Sequence, residues 1–236
     1  MSNSEFMETP PLRARILETV VRKSSLKQQV FDNTFAAFNL LKEVLFEMAS
    51  EFDDALDGKL DRRVRIEYRD RGKFETQLQV ASDILIFQMH TDVFDFDGQH
   101  PVRRTPYVAA DAQNAYCGMI NIYNFLSDSF KFNRNADEGY LIGRLFINRE
   151  RRYFVEGKGL ISVRAADFGT AEIDRRALVS ILEESIAHAL DFDLLTPPYE
   201  TFARVTVDQF NTKMDNSKFV TGKRLGYDFD TTDMQP

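Results

Sequence analysis

The first strong pattern in the chain is a row of apolar residues at helical spacing over residues 26–57. Steps of three and four place these side chains on one side of an α-helix. Leu40 and Val44 add a second, narrower apolar edge, so we expect cover from the sheet, another helix or a second copy of the chain. Gly58 suits the left-handed conformation that ends a helix. The row consists of Phe31, Phe35, Phe38, Leu41, Leu45, Met48, Phe52 and Ala55.

After residue 58 the apolar period changes to two, which indicates β-strands with one buried and one solvent-facing side. Residues 63–69 and 74–80 alternate in this way, and the turn at residues 70–72 joins them into a hairpin. Residues 84–89 are nearly all apolar, as in a strand covered on both faces. Further strands are predicted over residues 119–126, 141–147 and 152–156, and a last one over residues 160–163.

A second helix is predicted to begin after Asp174, a suitable N-cap, and to end before Pro197 and Pro198. The predicted fold class is therefore α+β: a curved antiparallel sheet of six or seven strands, packed against a long N-terminal helix and a C-terminal helix. The apolar side of the second helix carries Leu178, Ile181, Leu182, Ile186 and Ala189.

Residues 12–214 are expected to form a single domain. Within it, residues 12–23 are predicted to be a separate short helix, because Pro10 and Pro11 suit a helix start, and residues 199–214 another. Residues 1–11 are expected to be a flexible N-terminus, of which residues 1–6 resemble vector-derived sequence. Residues 215–236 have no sustained period, and we expect a flexible polar tail.

The amino-acid composition limits the cellular location and the binding partners that we expect for the protein. Cys117 is the single cysteine, so no internal disulfide can form, and a reducing, cytoplasmic location is expected. No apolar run approaches the roughly 18 to 20 residues that cross a bilayer, and we expect no membrane association. The net charge of -7 argues against non-specific nucleic-acid binding.

The common catalytic motifs are absent from the sequence. It contains no G-x-S-x-G turn, no H-E-x-x-H helix and no G-x-G-x-x-G fingerprint. Two Gly-Lys pairs lack both the earlier glycine and the following Ser or Thr of a phosphate loop; they are Gly157-Lys158 and Gly222-Lys223. The sequence identifies no cofactor, and it favours a protein without catalytic activity.

The densest group of potential metal ligands spans residues 90–100. It contains His90, Asp92, Asp95, Asp97 and His100, and such donors can bind Mn²⁺, Fe²⁺ or Zn²⁺ and activate water for hydrolysis. Strand alternation would separate His90 and Asp92 from Asp95 and Asp97, so we take His90, Asp92 and His100 as the candidate ligands. The simpler interpretation, which we prefer, is a strand that leaves the core and enters an acidic loop.

Two groups of residues are candidates for ligand binding. Asn121, Tyr123 and Asn124 lie in a predicted strand and are candidates to hydrogen-bond a small molecule held over the sheet. Arg63 and Arg65 belong to a basic first hairpin that could hold phosphate groups or an acidic partner. The simpler interpretation of both groups is polar residues that face solvent. The other basic residues of the two predicted hairpins are Arg69, Arg71, Arg144, Arg149, Arg151, Arg152 and Lys158.

These observations favour a non-catalytic binding or assembly domain that forms a homo-oligomer through its N-terminal helix, since this helix has more apolar surface than one sheet face needs. A first alternative is a metal-assisted hydrolase that uses residues 90–100. A second is a phospholigand or nucleic-acid binder that uses the basic hairpins, and the overall acidity argues against it.

Overall fold

A computed structural model describes residues 11–59, 61, 64–135, 137–157, 163–192, 199, 203, 204, 206 and 207. Within them, one six-stranded antiparallel sheet pairs each strand with the next along the chain, in the order β1 to β6. The predicted α+β class is confirmed, and β1 and β6 are the two edge strands of the sheet. The strands are β1 (Ile66–Asp70), β2 (Glu75–Val80), β3 (Asp83–Met89), β4 (Cys117–Leu126), β5 (Tyr140–Asn148) and β6 (Tyr153–Gly157).

The helices are α1 (Leu12–Leu56), α2 (Pro106–Ala110), α3 (Ser127–Lys131) and α4 (Arg175–Leu190). Short 3₁₀ turns lie at Pro101–Arg104, Ala112–Ala115 and Ala165–Asp167. The predicted start of α4 is confirmed, because Asp174 Oδ1 accepts a hydrogen bond of 2.7 Å from the Ala177 N–H. None of the described helices is long and apolar enough to cross a membrane.

Helix α1 is a single element of 45 residues, so the prediction of a separate helix over residues 12–23 is wrong. Only Ser24 and Ser25 separate the two predicted segments, and serine costs a helix a few tenths of a kcal/mol, far less than glycine or proline. The predicted end is confirmed: Gly58 follows the helix with a φ of 70°, a left-handed conformation that favours glycine.

The main core lies between one face of the sheet and helices α1 and α4. Phe38, Leu41 and Leu45 of α1 are fully buried against Leu78 and Phe87 of the sheet. Burying a side chain of this size stabilises the fold by about 1.5–3 kcal/mol. The predicted row is otherwise less uniform. Phe31, Phe35 and Phe52 are half-buried, and Ala55 is exposed.

A smaller core covers part of the opposite sheet face. Between β3 and β4 the chain crosses to this face and places Val102 and Val108 against Phe146, Phe154 and Phe168. The rings of Phe146 and Phe154 stack with centroids 4.9 Å apart. This cover lies over β4, β5 and β6. Toward β1 the same face is more open, although Gln77, Ile84 and Ile86 on it are still buried, at 4%, 5% and 8% exposed.

The remaining predictions concern the ends of the chain and the last strand. The stretch over residues 160–163 falls mostly outside the described residues, although the Val155 N–H donates to the Val163 carbonyl at 2.7 Å. The predicted short helix over residues 199–214 also lies almost wholly outside them, and residues 1–10 and 215–236 lie outside them entirely.

Candidate functional site

The first candidate is the N-terminal end of α1. Every residue over 11–25 is exposed, and Leu26 is the first buried side chain of the helix. At 1.5 Å per residue, residues 12–25 make a segment about 21 Å long. We call this segment the projecting end of α1.

The projecting end carries a broad apolar stripe. At 100° per residue, Leu12, Ile16 and Val20 lie on the side of the helix that, further along, carries the buried Val30 and Leu41. The stripe thus continues the core-facing side of α1 beyond the core and widens around the helix. Its exposed fractions are Leu12 71%, Ile16 52%, Leu17 59%, Val20 54% and Val21 67%.

The projecting end of α1 is also basic. Its charged residues are four cations and one anion, a net charge of +3: Arg13, Arg15, Glu18, Arg22 and Lys23. At 100° per residue, Arg15, Glu18 and Arg22 lie opposite the stripe, whereas Arg13 and Lys23 lie within its arc. The segment is therefore an amphipathic helix whose polar side has a net charge of +1 and whose apolar stripe includes two cations.

The second candidate is a groove on the face of the sheet opposite α1, at its β1 side. It has a volume of about 1090 Å³ and runs between the edge strand β1 and the short helix α3. We call it the open-face groove. Its lining includes Arg65, Arg69, Arg71, Gln77, Gln79, Ile84, Asp128, Phe130 and Lys131.

Carboxylates already pair with two of the groove arginines. Arg69 donates to both oxygens of Glu67, at 3.0 and 3.1 Å, and Arg71 pairs with Glu75. The hydrogen bonds from Arg69 lower the pKa of the Glu67 carboxyl, and the charge of Arg65 lowers it further. Within the described part of the chain, Arg65 has no side-chain hydrogen bond or ion pair.

Aromatic rings continue from the groove across the sheet. The guanidinium of Arg71 lies 5.8 Å from the ring centroid of Phe130, and Phe130 packs edge-on against Phe125 at 5.3 Å. Phe125 lies 6.4 Å from Tyr123. Because Tyr123 and Phe125 are two positions apart on β4, both point to the face opposite α1. Of these three rings, Phe130 lines the groove, and the half-buried Phe125 and Tyr123 continue from it along β4. We call the three rings the aromatic wall.

The structure separates the predicted ligand-binding residues. Asn121 and Tyr123 lie on the face opposite α1, next to Gln88 and Ile86 of β3, but Asn121 is buried, at 7% exposed. Arg65 lines the open-face groove. Asn124 lies on the opposite face, pairs with Leu85 and is 2% exposed. Arg63 lies outside the described residues. Tyr123 and Arg65 thus share a sheet face, and Asn124 belongs to the main core.

The predicted metal ligands lie in local hydrogen-bond networks. His90 Nδ1 accepts from the Asp92 N–H at 3.0 Å, and His100 Nε2 lies 2.8 Å from Glu156 Oε1. The Glu156 carboxylate also accepts from Arg144 at 2.7 Å. Among the residues that the structure describes, no three His, Cys, Asp or Glu side chains are grouped to hold a metal ion.

Sequence reasoning missed two features of these sites. The stripe at residues 12, 16, 17, 20 and 21 has helical spacing, but the prediction of a separate short helix over residues 12–23 does not identify it as an exposed continuation of α1. The position of Phe130 depends on the fold of α3 against the sheet, which no local pattern indicates.

A comparison with known proteins finds no match: no family model, curated protein or solved structure is significantly similar to this chain.

Proposed function

We propose that this protein is a non-catalytic assembly domain that forms homo-oligomers through the projecting end of α1. The observation that carries the proposal is the apolar stripe of the projecting end, whose five side chains are all at least 52% exposed. Contiguous apolar surface of this kind marks an interaction site on soluble proteins.

The stability of the helix supports the same conclusion. An isolated helix of about 12–15 residues is marginal in water, because its hydrogen bonds barely offset the entropy of ordering the chain. The projecting end extends a helix already nucleated in the core, but its side chains gain no packing within the monomer. Packing against a partner would supply the missing stabilisation.

We propose that this partner is a second copy of the same chain. Ile16, Val20 and Val21 are β-branched, and such residues pack well in the interface between helices. Helices that bind lipid surfaces usually carry Trp, Phe or Leu on the apolar side; the projecting end has Leu12 and Leu17 but no aromatic anchor. The stripe covers a wide arc, which suits a helix bundle better than a narrow two-helix seam.

We also propose that the assembly forms in the cytoplasm. Cys117 is the single cysteine of the chain, and it is a free thiol buried in the smaller core. Free thiols persist in reducing compartments.

The test is sedimentation equilibrium over a range of protein concentrations. The expected result is a mass above the 27.3 kDa of one chain, and a mass close to one chain for the variant Leu17→Glu/Val21→Glu. Arg15→Glu is a matched control, since it makes the same change of two charge units on the polar side of the helix. It should assemble like the wild type.

Two results would contradict the proposal. The first is a wild-type mass of one chain at every concentration. The second is flotation of a monomeric wild type with anionic vesicles that Leu17→Glu/Val21→Glu abolishes, which would assign the stripe to a membrane surface.

A further inference from the structure

We propose that the open-face groove binds single-stranded nucleic acid, with bases stacked on Phe130 and its aromatic neighbours and phosphates held by Arg65, Arg69 and Arg71. This site lies on the opposite side of the sheet from α1 and is independent of the assembly proposed above.

The aromatic wall supplies the stacking surface. Phe130 is 41% exposed although it packs against Phe125, so part of its ring is open to the groove. Tyr123 and Phe125 extend the aromatic surface along β4. Proteins that bind single strands place bases on such rings, and each stacked base contributes about 1–3 kcal/mol.

The arginines form one wall of the groove and lie on one side of β1. Arg65 directly precedes the edge strand β1 and Arg69 lies within it, so at 3.3 Å per residue their backbones lie about 13 Å apart. Arg71 follows in the turn to β2 and lies over Phe130. A chain running along β1 can therefore place successive phosphates against these side chains while its bases turn toward the aromatic wall.

The existing ion pairs leave donors for phosphate. A guanidinium carries five N–H donors, and Arg69 uses two of them on Glu67. Arg71 donates to Glu75 and to Gln77 Oε1 at 2.7 Å, which fixes its guanidinium at the groove. Asp61 and Asp128 also line the groove. Together with Glu67 and Glu75 they offset the positive charges of the groove, so we expect weak binding, with a dissociation constant on the order of 10⁻⁴ M at low salt.

The geometry favours a single strand over the other anionic polymers. In a duplex the base faces are stacked on one another and cannot reach Phe130. An acidic peptide would satisfy the arginines but would have no planar groups to occupy the aromatic wall. A single strand can use both the arginines, through its phosphates, and the aromatic wall, through its unpaired bases.

The test is fluorescence anisotropy with labelled dT12 and rU12 at low salt, with a duplex of the same length and polyglutamate as competitors. The expected result is binding of the single strands, with weaker competition by the duplex and by polyglutamate. Phe130→Ala should weaken binding about 5-fold to 150-fold, as expected for one lost stack, and Phe130→Tyr should restore most of it. Arg65→Gln should lower the slope of log affinity against log salt by about 0.7.

Two further variants are controls for the other basic surfaces. Arg176 is exposed on α4, on the far side of the sheet, and Arg22 lies on the projecting end of α1. Neither Arg176→Gln nor Arg22→Gln should change the affinity. The proposal is overturned if the wild type binds neither oligonucleotide at low salt, if polyglutamate competes as well as dT12, or if Phe130→Ala has no larger effect than the two controls.

Discussion

Gly118 of β4 lies directly beneath Thr34 of α1, so closely that a Cβ at residue 118 would overlap the Oγ1, Cβ and Cγ2 atoms of Thr34. Thr34 is fully buried, and its hydroxyl donates to the Val30 carbonyl at 2.7 Å. The hydroxyl is thus fixed against the helix backbone. The missing side chain of Gly118 lets the helix approach the sheet at this point.

Gly118→Ala should therefore destabilise the protein. The added methyl group must displace backbone or a fixed side chain in a close-packed core, which typically costs about 1–3 kcal/mol. The measurement is the free energy of unfolding in urea. Gly98→Ala is the matched control, because a Cβ at Gly98 would meet no atom within 4 Å. Equal stability of the two variants would contradict the close approach of α1 and β4.

Cys117 should be unreactive in the folded protein. Burial raises the pKa of its thiol well above the usual value, and the negative charge of Asp95 raises it further. The thiolate is the reactive species, and the side chain is also inaccessible to reagents. Labelling with a thiol-reactive disulfide at pH 8 should stay negligible until denaturant is added, and then reach one equivalent per chain. Rapid stoichiometric labelling of the native protein would contradict the buried position.

Asp70 should make the stability of the first hairpin depend on pH. Its carboxylate accepts hydrogen bonds from Lys42 Nζ at 2.8 Å and from the Gly72 N–H at 2.9 Å. These bonds, the one from Lys42 first, lower the pKa of Asp70 in the folded state. A group with a lowered pKa stabilises the fold above its unfolded value of about 3.9, and this contribution is lost as the pH falls through the folded value.

Asp70→Asn should accordingly be less stable than the wild type at pH 7, by less than about 1 kcal/mol because the pair is exposed to solvent. The difference should shrink as the pH falls below 4. Urea unfolding of both proteins at pH 7 and pH 3 measures it. A difference that is equal at the two pH values would show that the carboxylate charge has no part in the effect.

The strands could be predicted because the alternation of polar and apolar residues along the sequence agrees with the burial of those residues in the sheet. Arg65, Glu67 and Arg69 alternate with Ile66 and Tyr68, and this order fixes which face of β1 meets α1. Turns short enough for hairpins then fix the neighbours β1–β2 and β5–β6. The six strands follow from these two signals and from the apolar run of β3.

The candidate sites were less predictable, for two physical reasons. His100 meets Glu156, which lies 56 positions away in the sequence, and no local pattern encodes such a contact. Asn124 is a different case. It has the same parity as the buried Ile122, so strict alternation already placed it on the core side, away from Asn121 and Tyr123. The three residues therefore do not share one face of β4.

Asn124 should limit the stability of the main core. Its side chain is 2% exposed, and within the described residues its Oδ1 atom has no hydrogen-bond partner. A buried acceptor without a partner costs about 1–3 kcal/mol. Asn124→Leu has a similar volume and no polar atom, so it should raise the free energy of unfolding by about 1–2 kcal/mol in urea or guanidinium titrations.

Asn148 provides the contrasting control, because it is equally buried but satisfied. Its Oδ1 accepts from the N–H groups of Glu150 and Arg152, and its Nδ2 donates to Tyr107 Oη and to the Asn114 carbonyl. Asn148→Leu would take a partner from each of these four groups, of which Tyr107 Oη keeps its hydrogen bond to Glu150, so it should lower the free energy of unfolding by about 2–4 kcal/mol. If both leucine variants lost stability alike, the unsatisfied oxygen of Asn124 would not be a cost to the fold, since hydrogen bonding is what distinguishes the two buried asparagines.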